Sequence, residues 1–267
     1  MRGRTRALVV NDDGVAAPGI RHLADVACEA GLEIVVAAPR RESSGSSAAL
    51  TAAQVDGRIV VERQTLDGLE GVPVYGVDAA PGFIALIASR GAFGPRPELI
   101  VSGINRGLNT GHAVLHSGTV GAAMTGRVNQ CRALAVSLDV GEEMHWETAR
   151  TVAREAIEWV LSLDAPLVLN VNVPNVPIDD LRGVREGRLA QFGAVQTTIA
   201  EIGEGFVRLG VADEQADAEP GSDAALVAAG YASVTALRPL CDQHDVALGA
   251  VTALAGGEAR GTGARVL

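Results

Sequence analysis

Short apolar runs, each broken by polar or glycine-rich residues, alternate along the chain with stretches whose apolar positions fall three and four apart. Residues 7–10 (ALVV) form an unbroken apolar run and read as a short buried strand. Pro18 stands where a first helical turn would begin, and Ile20, Leu23, Ala24 and Ala27 follow at helical spacing until Gly31 stops them. Residues 33–38 (EIVVAA) read as a second strand. Strand, helix and strand within about forty residues make a βαβ unit, which implies a parallel sheet. The same logic places strands at 59–63, 72–77, 98–102, 133–136, 167–173 and 231–237, and helices at 81–89, 120–128, 147–163 and 246–255. Residues 103–111, rich in glycine and asparagine, read as tight turns rather than regular structure. The expected fold class is α/β, a Rossmann-like, mostly parallel sheet flanked by helices.

The periodicity weakens after Pro174, and residues 183–220 end in an acidic stretch at 213–219. This segment reads as a hairpin-like extension with a solvated loop, suited to oligomer contacts. The expected organisation is a metal- and phosphate-binding core over 1–175. An extension over 176–267 partly completes the core and partly serves assembly. With 267 residues, one large domain or one domain with an appendage is the expectation.

Composition narrows the chemistry. A net charge of -10 argues against binding nucleic-acid polymers or anionic membranes through bulk charge. No apolar run approaches the ~20 residues of a membrane span. The run after Arg2, Arg4 and Arg6 is too short for the core of a signal peptide. A soluble, cytoplasmic chain is expected. The basic residues are all arginine, with no lysine anywhere, which excludes a Walker-type phosphate loop, a Schiff base and pyridoxal-phosphate chemistry. Where a dinucleotide fold would need GxGxxG after the first strand, the chain has Asn11-Asp12-Asp13-Gly14. Cys28, Cys131 and Cys241 are widely spaced, with no metal-site pattern, and are expected to be buried, reduced thiols.

What remains for a metal is oxygen. Adjacent carboxylates at the end of a buried strand repel one another, and a cation between them relieves that repulsion. Structurally, the same stretch also reads as an acidic turn with Asn11 or Asp13 capping the next helix. Three loops leave the carboxyl ends of strands here: Asp12-Asp13, the serine-rich 39–49 loop, and the loop carrying Asn105. In a parallel sheet these ends share one edge. Carboxylate, hydroxyl and amide oxygens suit Mg²⁺, Mn²⁺ or Ca²⁺. Ser117-Gly118-Thr119 opens a helix, where free N–H groups and two hydroxyls make an anion site.

NDDG followed by APGI, then APRRESSG, SGINRGLNTG and VLHSGTVGAAM, in this order, resemble the stationary-phase survival protein SurE family. Weaker echoes follow in LNVNVP, PGSD and GYASVTAL, so the similarity spans about residues 6–240. The resemblance implies a metal-dependent phosphatase acting on nucleoside 5′- and 3′-monophosphates, or on another small phosphate ester or short polyphosphate. It also implies a homodimer or homotetramer formed through the C-terminal extension. Matched by position, it puts metal ligands at Asp12, Asp13, Ser44 and Asn105, and phosphate contacts at Ser117, Gly118 and Thr119. Asn11, Gly45 and Arg106 are further substrate-binding candidates, Arg106 reading equally as the partner of a structural acid. Of the two catalytic aspartates, Asp12 is the first choice to orient or deprotonate the attacking water. His112 and His116 read either as leaving-group acids or as solvent-facing loop residues. Asp223 reads as a turn residue. The chain departs from the family pattern at Arg40, Ser43, Ala48-Ala49, His112-Ala113, His116 and residues 79–84, around the site rather than in it. Those departures keep open a non-catalytic relative that only binds nucleotide and metal.

Overall fold

The computed structural model describes residues 3–163, 165–191, 197–203, 206–211 and 219–242. The chain opens with β1 (Arg6–Val10), α1 (Pro18–Glu29) and β2 (Glu33–Pro39). After the serine loop, the two-residue strands β3 (Gln54–Val55) and β4 (Arg58–Ile59) pair with each other, and β5 (Val61–Gln64) pairs with β6 (Val74–Val77). Then come α2 (Pro81–Ala88), β7 (Leu99–Arg106), α3 (Gly118–Val128), β8 (Arg132–Leu138), α4 (Trp146–Ser162) and β9 (Val168–Val173). The last part holds β10 (Val184–Glu186), a hairpin of β11 (Thr197–Gly203) and β12 (Phe206–Val211), α5 (Asp223–Ala228) and β13 (Ala232–Leu237).

Nine strands share one sheet in the order β10-β13-β9-β8-β7-β1-β2-β6-β5. The six central strands, β9 through β6, run parallel; β5 pairs antiparallel with β6 and β13 antiparallel with β9, while β10 runs parallel to β13. The chain leaves β1 toward β2 on one side and later returns to β7 on the other. The carboxyl ends of β1 and β7 therefore flank a topological switch point, where open α/β sheets bind ligands.

Side chains alternate across the sheet, as the two-residue period of a strand requires. Val9, Val36, Val101, Leu134 and Val171 pack with α1 and α4 on one face. Leu8, Val10, Ala37, Val77 and Ile100 pack with α2 on the other, and Ala133, Ala135 and Val168 with α3. The α1 and α4 crossovers lie on one face yet step along the sheet in opposite directions, so their hands are opposite. The β7–α3–β8 crossover, on the far face, shares the hand of β1–α1–β2. That leaves β8–α4–β9 as the left-handed exception to a strong rule.

The α/β reading and the mostly parallel sheet agree with the sequence, with specific differences. β7 does not stop at residue 102: a bulge between Ser102 and Asn105 lets it rejoin β8, pairing Asn105 with Ser137 and Arg106 with Leu138. Gly103 makes this possible at φ +129°, and a Cβ there would meet the Val136 carbonyl oxygen at 2.2 Å. The buried Ile104 side chain then drops into the α1 face of the core. The run at 59–63 is split at Val60 into two strands. α5 replaces an expected turn around Asp223, and the helix expected at 246–255 lies outside the described residues. The three cysteines are free, but only Cys131 is buried; Cys28 faces solvent from α1, and Cys241 is exposed.

Candidate active site

β1 delivers Asn11, Asp12 and Asp13 to the switch point. Asn11 is fully buried: its Nδ2 donates to the Gly14 carbonyl at 3.0 Å and its Oδ1 accepts from the Gly14 N–H at 3.2 Å, so both ends of the amide help to close the turn that presents the aspartates. The two aspartates diverge, as successive side chains leaving a strand do. Asp12, 4 % exposed, accepts from the Thr119 hydroxyl through Oδ1 at 2.5 Å. Asp13 Oδ2 accepts from the Arg106 N–H at 3.3 Å. One acid is thus turned to the start of α3 and the other to the end of β7. Asn105 joins them, its Oδ1 lying 3.4 Å from Thr119 Oγ1 and its Nδ2 donating to Gly107 O at 2.8 Å.

Burial raises the pKa of Asp12, against the Thr119 hydroxyl and the N–H groups of Asp12, Thr119 and Gly118, which favour its charged form. Asp13 is pushed up to about 6, first by burial and then by the charge of Asp12, with Glu42 adding to it. The Arg106 N–H and guanidinium pull the other way without offsetting the rise. A pair of carboxylates held in this state gains from a cation.

The serine loop leaves β2 and folds over the same edge. The Ser43 N–H donates to the Asp12 carbonyl at 2.7 Å, which sets Ser44 beside the aspartates. The Ser44 hydroxyl is exposed and donates to Glu42 Oε1 at 2.8 Å. Gly45 is exposed at φ +75°. Ser47 ties the loop to the turn ahead of α3, its N–H to the His116 carbonyl at 3.2 Å and its Oγ to the Leu115 carbonyl at 2.7 Å. The fit is close: a Cβ on Gly121 would stand 2.2 Å from the Ser47 carbonyl oxygen. Arg40 is held away by ion pairs to Glu62 and Asp78, both at 3.0 Å.

Ser117 caps α3, its Oγ accepting from the Val120 N–H at 3.0 Å. Gly118 and Thr119 follow, both buried against Asp12. His112 and His116 are exposed on the 3-10 turn Gly111–Leu115 and at its end. The segment before this turn is fastened from below by polar residues that sequence reasoning missed. The Asn109 N–H donates to Asn172 Oδ1 at 2.7 Å, and Asn170 and Asn172 both donate to the Asn109 carbonyl, at 2.9 and 3.0 Å. Asp223 is no turn residue. It is fully buried at the start of α5 and accepts from the Gly111, Ala190 and Ala224 N–H groups at 2.8–2.9 Å. Two asparagines at alternate positions of an apolar strand, and a Ser-Asp pair opening a helix, were the available signals.

Asp12, Asp13, Ser44 and Asn105 thus come to one edge, and their donor set is wholly oxygen, which fits a hard divalent cation. A doubly wound α/β sheet with paired acids at its switch point and a helix N-terminus facing them defines the class of protein, one built to handle small phosphorylated ligands. The family model of survival protein SurE matches residues 7–196. A 5′-nucleotidase SurE of Aeromonas hydrophila is 37 % identical over 237 residues, 87 % of this chain and 91 % of that protein. A 5′/3′-nucleotidase SurE of Edwardsiella ictaluri is 40 % identical over 240 residues, 87 % of this chain and 89 % of that protein. The crystal structure of the SurE protein from Aquifex aeolicus superposes with a TM-score of 0.75 at 30 % identity, covering 94 % of this chain and 99 % of that one. The chain belongs to the SurE family.

Proposed function

We propose that this chain is a divalent-cation-dependent phosphomonoesterase that hydrolyses nucleoside 5′-monophosphates, and 3′-monophosphates as well, to nucleoside and phosphate. The observation that carries this reading is the acid pair at the switch point, the buried Asp12 facing the first residues of α3 and the half-buried Asp13 facing the end of β7. The relatives named nucleotidases supply the substrate class.

Asp12, Asp13, Ser44 and Asn105 would hold the cation, Mg²⁺ or Mn²⁺ being the reading with Ca²⁺ able to occupy the site. A cation held there would supply polarisation of the phosphorus centre, charge compensation and a more acidic water. Asp12, fixed by the Thr119 hydroxyl, orients the attacking water, and an aspartate oxygen takes its proton. Ser117, Gly118 and Thr119 line the phosphate side, with Gly45 and the Arg106 guanidinium at its edge. His112 or His116 returns a proton to the departing ribose oxygen, so that water adds across the P–O bond and an alcohol leaves.

The test is phosphate release by metal-stripped protein from nucleoside 5′- and 3′-monophosphates with Mg²⁺ or Mn²⁺ restored. Release that requires the ion and falls roughly a hundredfold or more in Asp13→Asn is the expected result. Folded, metal-loaded protein that releases none would leave a relative that only binds nucleotide.

We further infer a homodimer or homotetramer assembled through the β11–β12 hairpin, acting in the cytoplasm. The hairpin pairs with no strand of the main sheet, and its Phe206 is 53 % exposed. Among the described residues no helix is long and apolar enough to cross a membrane.

A further inference from the structure

Ser46 carries a hydroxyl that the fold buries and leaves without a partner. Its position is set by bonds that do not involve the hydroxyl. The Ser46 N–H donates to the Ser43 carbonyl at 3.2 Å, and the next residue, Ser47, is bonded twice to the turn ahead of α3. The hydroxyl lies against Gly118: a Cβ placed there would stand 2.6 Å from Ser46 Oγ and 2.8 Å from Asp12 Oδ2. The two oxygens close on one backbone atom at the first residue of α3, and only a residue without a side chain fits between them.

A buried hydroxyl without a partner is costly, and proteins keep such groups where a ligand completes them. Most neighbouring donors already have work: Thr119 gives its hydroxyl proton to Asp12, and the Gly118 and Thr119 N–H groups favour the Asp12 carboxylate. Ser117 Oγ accepts from the Val120 N–H, so that hydroxyl too is anchored to protein. Among these groups Ser46 is the one with no protein partner at all, and it belongs to a loop fixed in advance of binding.

We propose that Ser46 is a substrate-binding residue whose hydroxyl donates a hydrogen bond to a non-bridging oxygen of the phosphoryl group. The assignment rests on the phosphomonoesterase reading above and adds to it a contact that the sequence did not single out. It places the phosphoryl group between the serine loop and α3, and it makes the loop a part of phosphate recognition as well as a support for Ser44.

The experiment uses the full chain loaded with Mn²⁺ and inorganic phosphate as the probe. Calorimetry gives the phosphate Kd, a separate titration gives the Mn²⁺ Kd, and nucleoside monophosphate hydrolysis gives KM and kcat. Ser46→Ala is expected to weaken phosphate binding and raise KM roughly tenfold, as the loss of a hydrogen bond to a charged ligand does. The Mn²⁺ Kd and Tm stay within error of the parent, because no protein partner loses a bond. Ser46→Thr, which keeps the hydroxyl, is expected to recover most of the phosphate affinity. A phosphate Kd within twofold of the parent in Ser46→Ala overturns the assignment while leaving the phosphomonoesterase reading intact. A parent protein that loads Mn²⁺ yet neither binds phosphate nor hydrolyses any monophosphate overturns both. A loss in Ser46→Ala accompanied by an equal loss of Mn²⁺ affinity overturns it too, since the hydroxyl would then serve the cation.

Discussion

At Asp13 the proposed role as a metal ligand and the stability of the metal-free fold pull in opposite directions. Its carboxyl, pushed up to about 6 in the fold, ionises near 3.8 in an unfolded chain. The folded state therefore favours the protonated form: the benefit is full below 3.8 and is lost as pH rises through about 6. In metal-free protein, Asp13→Asn should melt higher than the parent at pH 7–8, and the difference should close by pH 4. With solvent screening of the partly open carboxyl allowed for, the gain is on the order of 1 kcal/mol, or about 2–4 °C by scanning calorimetry. Added Mn²⁺ should reverse the order at pH 7.5 by stabilising only the parent. Equal melting temperatures at both pH values would mean that the acid pair stores no repulsion. Asp223 is the contrasting case, a buried acid whose oxygens are fully used by backbone N–H groups. Asp223→Ala leaves those donors without a partner and should lower stability by roughly 3 kcal/mol or more, read from urea unfolding.

At the scale of elements, the serine loop and α3 meet through backbone, so their spacing depends on a residue with no side chain. Gly121→Ala must push the Ser47 carbonyl away from a Cβ that would otherwise stand 2.2 Å from it. The loop carries Ser44 and Ser46, so kcat/KM should fall more than tenfold while the circular dichroism spectrum is kept and stability drops by about 1–3 kcal/mol. Unchanged kinetics would show that the loop moves without consequence. These elements also show what the sequence could and could not reveal. β1, β2, α1 and α4 were legible because each buries one face or both, and burial writes a period into the residues. The paired acids stood out because nothing apolar explains them. β7 was truncated in that reading because a bulge requires glycine, and glycine also signals a turn. The turn-closing bonds of Asn11 could not be told in advance from a ligand contact, since the same amide serves either purpose. Ser46 was missed because a hydroxyl's lack of a partner exists only in three dimensions.

Over the whole molecule, the hairpin stands apart from the nine-stranded sheet and presents an exposed Phe206. If it carries the assembly, Phe206→Glu should shift the sedimentation coefficient toward the monomer while leaving the pH dependence of melting unchanged. An unaltered sedimentation profile would remove the hairpin from the interface. The left-handed crossover and the late strands place the far edge of the sheet at the end of the chain's itinerary: β13 enters between β9 and β10, although it is synthesised after both. The support for the turn ahead of α3 comes equally late, since Gly111 is held by Asp223. A chain emerging from the ribosome therefore carries its acid pair, its serine loop and the start of α3 long before the residue that clasps the turn between them exists. Chains stalled before residue 223 lack that clasp and should release less phosphate per chain than the finished protein.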